Sequence, residues 1–209
     1  GDGTSLGTPE GFVGYSFFGF ALLILSVFAV IAGLNVSANE EEAGIMDMML
    51  SLPVPRWVVI VEKLLAYTAM IIGILLLSLA GLLLGNALAA SDLQLETGIL
   101  IEGIINVLPG TLFVLVFTAF VGTLVRRRAT ATAIAGVFVV GSYLLDSIGR
   151  AANAEVTDAL RQLSIFAHYD GSNVLSQGMA VGAALVIVVL AIGLSGATMQ
   201  LFQRRDIAV

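Results

Sequence analysis

Residues Leu64–Leu88, LLAYTAMIIGILLLSLAGLLLGNAL, decide the architecture, because these 25 residues contain no charged side chain. An α-helix rises 1.5 Å per residue, so about 20 apolar residues cross the roughly 30 Å hydrocarbon core of a bilayer. Four more runs meet that requirement: Phe12–Leu34, Val107–Val125, Ala129–Leu145 and Met179–Phe202. Of the five, Ala129–Leu145 is the shortest. The composition agrees. Hydrophobic residues make up 58% of the 209 residues and charged residues 11%, and the mean hydropathy is +1.03. A soluble domain carries about 25% charged residues to solvate its surface, so most of this surface must meet lipid. The expected fold is all-α, a polytopic membrane helical bundle, with residues 1–209 forming a single transmembrane domain. The chain has no cysteine, which excludes disulfides and thiolate metal sites.

The formal net charge of −6 says little until it is sorted by loop. Cytoplasmic loops carry the excess of Lys and Arg. If the loop after the first run is cytoplasmic, that side holds Arg56, Lys63, Arg126, Arg127, Arg128, Arg204 and Arg205, against Arg150 and Arg161 opposite. Seven against two places the N-terminal end of this chain outside and the C-terminus in the cytoplasm. A multi-pass protein of the inner (plasma) membrane is expected. The first methionine is Met46, so an external end at Gly1 further implies a sixth span upstream. The outer side then carries Asp2, Glu10, Asp92, Glu96, Glu102, Asp146, Glu155, Asp158 and Asp170, which read as ordinary solvation of outer loops. Glycines four apart, Gly81/Gly85 and Gly178/Gly182, suit close helix packing in lipid.

Between the first two runs lies E40-EEAGIMDMMLSLPVPRWVVIVE-K63. Asn39 can cap a helix whose first turn is Glu40, Glu41 and Glu42, where carboxylates complement the helix dipole. Ile45, Met48, Met49 and Leu52 share one face, while Glu40, Gly44, Asp47 and Ser51 share the other. Pro53 and Pro55 end the helix. An interfacial helix filling the loop is one reading of such a segment. Membrane-surface helices carry cations on the polar face, however, and this one carries carboxylates that anionic lipid repels. A negative face with Met beside it suits docking onto a protein partner.

The same residues resemble the cytoplasmic segment of type-2 permeases of ATP-binding-cassette transporters. Glu42, Gly44, Asp47, Leu50, Ser51, Pro53, Val54, Arg56 and Lys63 match that family's pattern. Ile45 stands where the family usually has threonine, and Glu62 where it has glycine. The stretch L163-SIFAHY-D170 is similar to the family's segment before the last span, with Ile165 in place of proline, and the R-R-D ending is also familiar. The resemblance implies an exporter subunit of six spans. Segment 39–56 would be its coupling helix, docking through Glu40, Glu41, Glu42, Gly44, Asp47, Met48, Met49, Leu52 and Arg56 onto a separate ATPase subunit. It also implies a second permease subunit as partner, and short external helices within 150–177. The sequence has no G-x-x-x-x-G-K-[ST], so ATP hydrolysis is expected in another chain and the permease itself is not expected to be an enzyme. No cofactor, metal or nucleic acid is implied.

Other candidate chemistry is sparse. His168 is the only histidine, and without Cys or a second His it makes a poor metal site. Asn153–Leu163 is a second amphipathic stretch; the resemblance would make it part of a short external helical hairpin that caps the exit path, and an interfacial helix covering the bundle is the other reading. Glu102 and Asn106 are placed to line an outer vestibule. Two other classes remain open: a structural subunit of a larger complex, and an ATP-independent transporter or channel. The latter usually places ionisable groups within its spans, and the central parts of these spans have none. The charge count predicts that single cysteines at Ser91 and Ser172 react with an impermeant maleimide on intact cells and that one at Ser51 does not. Labelling of position 51 alone would reverse the orientation.

Overall fold

The computed structural model describes residues 7–36, 56–125, 127–152 and 161–203, and all regular structure among them is helical. The elements are α1 (Pro9–Val13), a π-helical turn (Gly14–Phe18), α2 (Gly19–Val36), α3 (Arg56–Leu88), α4 (Thr97–Val125), α5 (Arg128–Ala152), α6 (Ile165–Tyr169), α7 (Val174–Gln177) and α8 (Val181–Gln203). Five stretches are long and apolar enough to cross a membrane: Pro9–Val36, Trp57–Leu88, Thr97–Val125, Arg128–Arg150 and Val181–Gln203. The polytopic helical bundle expected from the sequence is therefore present.

The helices outrun their apolar cores, and local chemistry explains where they stop. The first begins at Pro9 because Thr8 Oγ1 accepts from the Gly11 N–H at 3.2 Å and proline is suited to the first helical position. Helix α3 has 33 residues, about 50 Å at 1.5 Å per residue, so its first turns can stand in the headgroup layer with Glu62 and Lys63. Helix α4 starts ten residues before Val107 and carries Pro109 inside it. That proline withholds one N–H from the ladder, a loss that neighbouring helices make tolerable in a membrane span. Helix α5 continues past Leu145, where Asp146 and Arg150 pair one turn apart, acid before base and base near the negative end of the helix.

Helix α4 is the axis of the bundle. It packs against α2, α8, α5 and α3, and 67% of its most apolar stretch is buried, against 11% for the second span and 17% for the last. Its buried hydroxyls are satisfied inside the helix: Thr111, Thr118 and Thr123 donate to the carbonyls of Val107, Val114 and Ala119 at 2.9, 2.8 and 2.8 Å. The first span lies on α4 through missing side chains. A Cβ on Gly33 would stand 2.6 Å from the Leu115 carbonyl oxygen and 2.6 Å from Thr118 Cβ. One on Gly103 would meet the Phe18 ring at 2.6 Å, and one on Gly110 would meet Leu22 at 2.9 Å. The glycines that the spacing singled out behave otherwise. Gly81, Gly85 and Gly182 have no heavy atom of the described residues within 4 Å of such a Cβ, while one on Gly178 would lie 3.2 Å from the Glu102 carboxylate.

Gly33→Ala therefore forces the first span away from α4 and is expected to cost about 1–3 kcal/mol. Gly73→Ala, in open space, should be neutral or stabilising by up to about 1 kcal/mol through helix propensity. Thermal unfolding in detergent compares the two, and equal melting temperatures would contradict the packing.

Candidate functional site

At one end of the bundle, α6 and α7 form a cap over the first span, α4 and α5. Each attachment has a visible cause. Ser164 caps α6 by accepting from the Phe166 N–H at 3.1 Å, and its hydroxyl donates to the Ser142 carbonyl of α5 at 2.6 Å. The Tyr169 hydroxyl donates to the Phe18 carbonyl at 2.8 Å. Burial pushes this phenol well above its usual pKa, so it stays a donor. Asn106 Nδ2 donates to the Tyr169 carbonyl at 2.6 Å, and Glu102 Oε1 accepts from the Met179 N–H at 2.7 Å. Asp170 takes a left-handed conformation (φ 39°) that turns the chain between the two short helices. Gly171 follows it, where a Cβ would lie 2.4 Å from the Phe18 carbonyl oxygen. Gly14 is pressed against the cap in the same way, 2.6 Å from the Ser172 carbonyl oxygen.

Two arginines and two aspartates cross-link this joint. Arg150 donates through Nε and Nη2 to Asp146 Oδ2 at 2.9 and 2.8 Å, and Arg161 Nε donates to Asp146 Oδ1 at 2.8 Å. Arg150 Nη1 lies 2.8 Å from Asp170 Oδ1 and also donates to the Ser172 hydroxyl. Arg161 Nη2 is 3.6 Å from Asp170 Oδ1. Asp146 is buried at about 27 Å along α5 from Arg128, close to the thickness of a hydrocarbon core. A lone carboxylate so buried within the protein would be costly. Two guanidinium groups make it tolerable.

Between the cap, the first span and α5 is a half-open hollow of about 220 Å³ whose walls include Tyr15, Phe20, Tyr143, Asp146, Phe166 and Tyr169. Tyr143 and Phe166 meet edge to face at 5.5 Å. On the other side of Phe20 lie two adjoining hollows of about 180 and 430 Å³ between the first span and α3. They share Phe17 and Ser78 in their walls, and among the described residues none that lines them is charged.

The sequence-based assignments fare unevenly here. Glu40, Glu41, Glu42, Gly44, Asp47, Met48, Met49 and Leu52 lie outside the described residues, and Arg56 is the first residue of α3. Asn106 does not line an open vestibule, and Glu102 is half-buried. Asn106 is buried, and both hold the cap down. His168 Nδ1 lies 2.9 Å from the Ser164 carbonyl oxygen, within its own helical turn. Most of Asn153–Leu163 lies outside the described residues, and two short helices do precede the last span. The ion-pair cluster was missed. Its only local signal is the spacing of Asp146 and Arg150, while Arg161 and Asp170 reach it through the fold.

Residues 3–203 match the family described as "Multidrug efflux system permease Rv1217c, C-terminal domain". The chain belongs to that family. No curated protein and no solved structure matches it. Within this multidrug efflux permease domain, the five spans, the capped end and the uncharged hollows are consistent with a multi-pass transport subunit.

Tyr169→Phe removes a buried donor from the Phe18 carbonyl and should destabilise by about 1 kcal/mol. Asn106→Ala strands the Tyr169 carbonyl and should cost about 1–3 kcal/mol. Both are read as losses in melting temperature; an unchanged value for Asn106→Ala would show that the cap does not hang on α4.

Proposed function

We propose that this chain is the membrane-spanning part of an ATP-driven exporter of apolar compounds, working with a second permease half and a separate ATPase. The observation that carries the reading is the union, on one chain, of a multidrug efflux permease match over residues 3–203 with the Glu42–Lys63 pattern of ATP-coupled permeases. The uncharged hollows beside Phe17 and Ser78 support an apolar cargo, since drug-sized sites are lined mainly by apolar side chains with a few polar groups. The capped end faces outside and the end bearing Arg127 and Arg128 faces the cytoplasm, as the charge count requires.

Force enters at the acidic segment. Helix α3 rises from it at Arg56 and packs against α4, α8 and α2. A push on the docked segment is therefore transmitted along a continuous helix of 33 residues to the axis of the bundle. The ATPase closes on nucleotide, the coupling segment moves as a lever, and the spans rearrange around the cargo.

The acidic face and the Met edge of the segment make different contributions. Glu41→Lys with Asp47→Lys should slow association with the ATPase and change its salt dependence. Met48→Ala with Met49→Ala should weaken the complex by about 2 kcal/mol or more through lost apolar contact. Retention of the ATPase on the purified permease, and its drug-stimulated hydrolysis, are measured across a salt series. If both variants retain and couple the ATPase as well as the parent, residues 40–52 are only a surface helix.

A further inference from the structure

At the end of the bundle opposite the cap, the first span, α4 and α5 come together at a turn rich in arginine. Helix α4 ends at Val125 and α5 begins at Arg128. The Arg127 N–H donates to the Val125 carbonyl at 2.8 Å and closes the reversal between them. Arg127 and Arg128 are exposed. The negative end of α4 and the positive end of α5 lie side by side here, so their dipoles offset and give the guanidinium groups no net counter-charge. The first turn of α5 holds no acidic residue either. Leu34, near the end of the first span, is buried in one cluster with Val121 of α4 and Ala131 of α5, and Val36, the last residue of α2, is fully buried. The chain therefore leaves the first span about one helical turn from Arg127 and Arg128.

What leaves there is acidic. Residues 37–55, which lie outside the described residues, carry Glu40, Glu41, Glu42 and Asp47 and no Lys or Arg. Glu40 is four residues past Val36, so even a fully extended chain takes it no more than about 14 Å from the end of the first span. So short a tether keeps the carboxylates near the two guanidinium groups at an effective concentration on the order of millimolar. Anionic lipid would attract the arginines but repel the carboxylates, leaving three acids crowded at a negative surface. Pairing the two sets within one chain meets both needs. We propose that Arg127 and Arg128 are the seat of the chain's own acidic segment: the carboxylates of Glu40, Glu41 and Glu42 pair with these two guanidinium groups while no ATPase is docked, and docking exchanges those pairs for contacts with the ATPase. The exchange rests on the proposed function; the pairing within the chain does not.

Two measurements separate these layers. Because the protein has no native cysteine, Ala43→Cys with Ala129→Cys places one thiol beside each charged set without altering either. In purified protein in nanodiscs of neutral lipid, the initial rate of disulfide formation under mild oxidant reports how often the two stretches meet. Arg127→Glu with Arg128→Glu should lower that rate at least fivefold. Adding Glu41→Lys and Glu42→Lys, which restores opposite charges and the original number of cations at this end, should bring it back. A rate indifferent to the reversal, or one that the swap does not restore, would overturn the pairing. If the reversal left the rate alone but abolished binding of phosphatidylglycerol, the arginines would belong to the membrane instead.

The second measurement is the affinity of the ATPase for the purified permease without the added cysteines. With the seat removed by Arg127→Glu and Arg128→Glu, the acidic segment no longer has to be won from its own chain. Binding should tighten at least threefold at low salt, and the difference should vanish at high salt, where exposed charges are screened. Unchanged or weaker binding would overturn the exchange. A wild type that binds no ATPase would overturn the exchange together with the proposed function, while the disulfide rates would still decide the pairing.

Discussion

The close approach of the first span to α4 is the contact on which the rest of the bundle depends. Lipid tails are as apolar as leucine, so helices in a membrane gain little by hiding apolar surface and associate mainly by fitting together. Here the fit is made by absence: Gly33 admits the backbone of α4 at Leu115, and Gly103 and Gly110 admit Phe18 and Leu22. With that pair fixed, α8, α3 and α5 add to the remaining faces of α4. The cap then rests on the same joint, since Tyr169 bonds the Phe18 carbonyl and Asn106 of α4 bonds Tyr169.

The two ends of the molecule solve different electrostatic problems. One end carries seven of the nine Lys and Arg residues of the chain. The other balances two guanidinium groups against two carboxylates across the seam between α5 and the cap. The ion pairs lie at the seam between α5 and the cap, whereas the interior of the bundle is held by close packing at Gly33, Gly103 and Gly110. The chain belongs to the multidrug efflux permease family matched over residues 3–203.

The spans were legible because a run such as Leu64–Leu88 needs no tertiary information to be read; length and the absence of charge suffice. Their ends were less so. Helix α5 runs past Leu145 on the strength of an acid and a base one turn apart, and α4 reaches back to Thr97 through a stretch containing Glu102, whose carboxylate is occupied by the Met179 N–H. A hydropathy count sees both as departures from the membrane. Glycine spacing did not point to the close contacts inside this chain. The pairs four apart at Gly81/Gly85 and at Gly178/Gly182 fit a known packing pattern, yet the glycines that matter, Gly33, Gly103 and Gly110, are paired with residues 82, 85 and 88 positions away. The outer acids were read as solvating loops, although Asp146 and Asp170 are neutralised by arginines that sequence separation hides.

The most direct test of this account is a double-mutant cycle on Phe18 and Gly103, which touch across the first span and α4 beneath the cap. Gly103→Ala alone drives a methyl group into the Phe18 ring, and Phe18→Leu alone opens a gap in a fully buried site. Together the smaller side chain makes room for the methyl. Melting of the four proteins in detergent should show the double variant more stable than the sum of the single losses predicts, by about 0.5–3 kcal/mol. Strict additivity would mean that the two helices do not meet at this point, and the bundle would have to be assembled around some other contact.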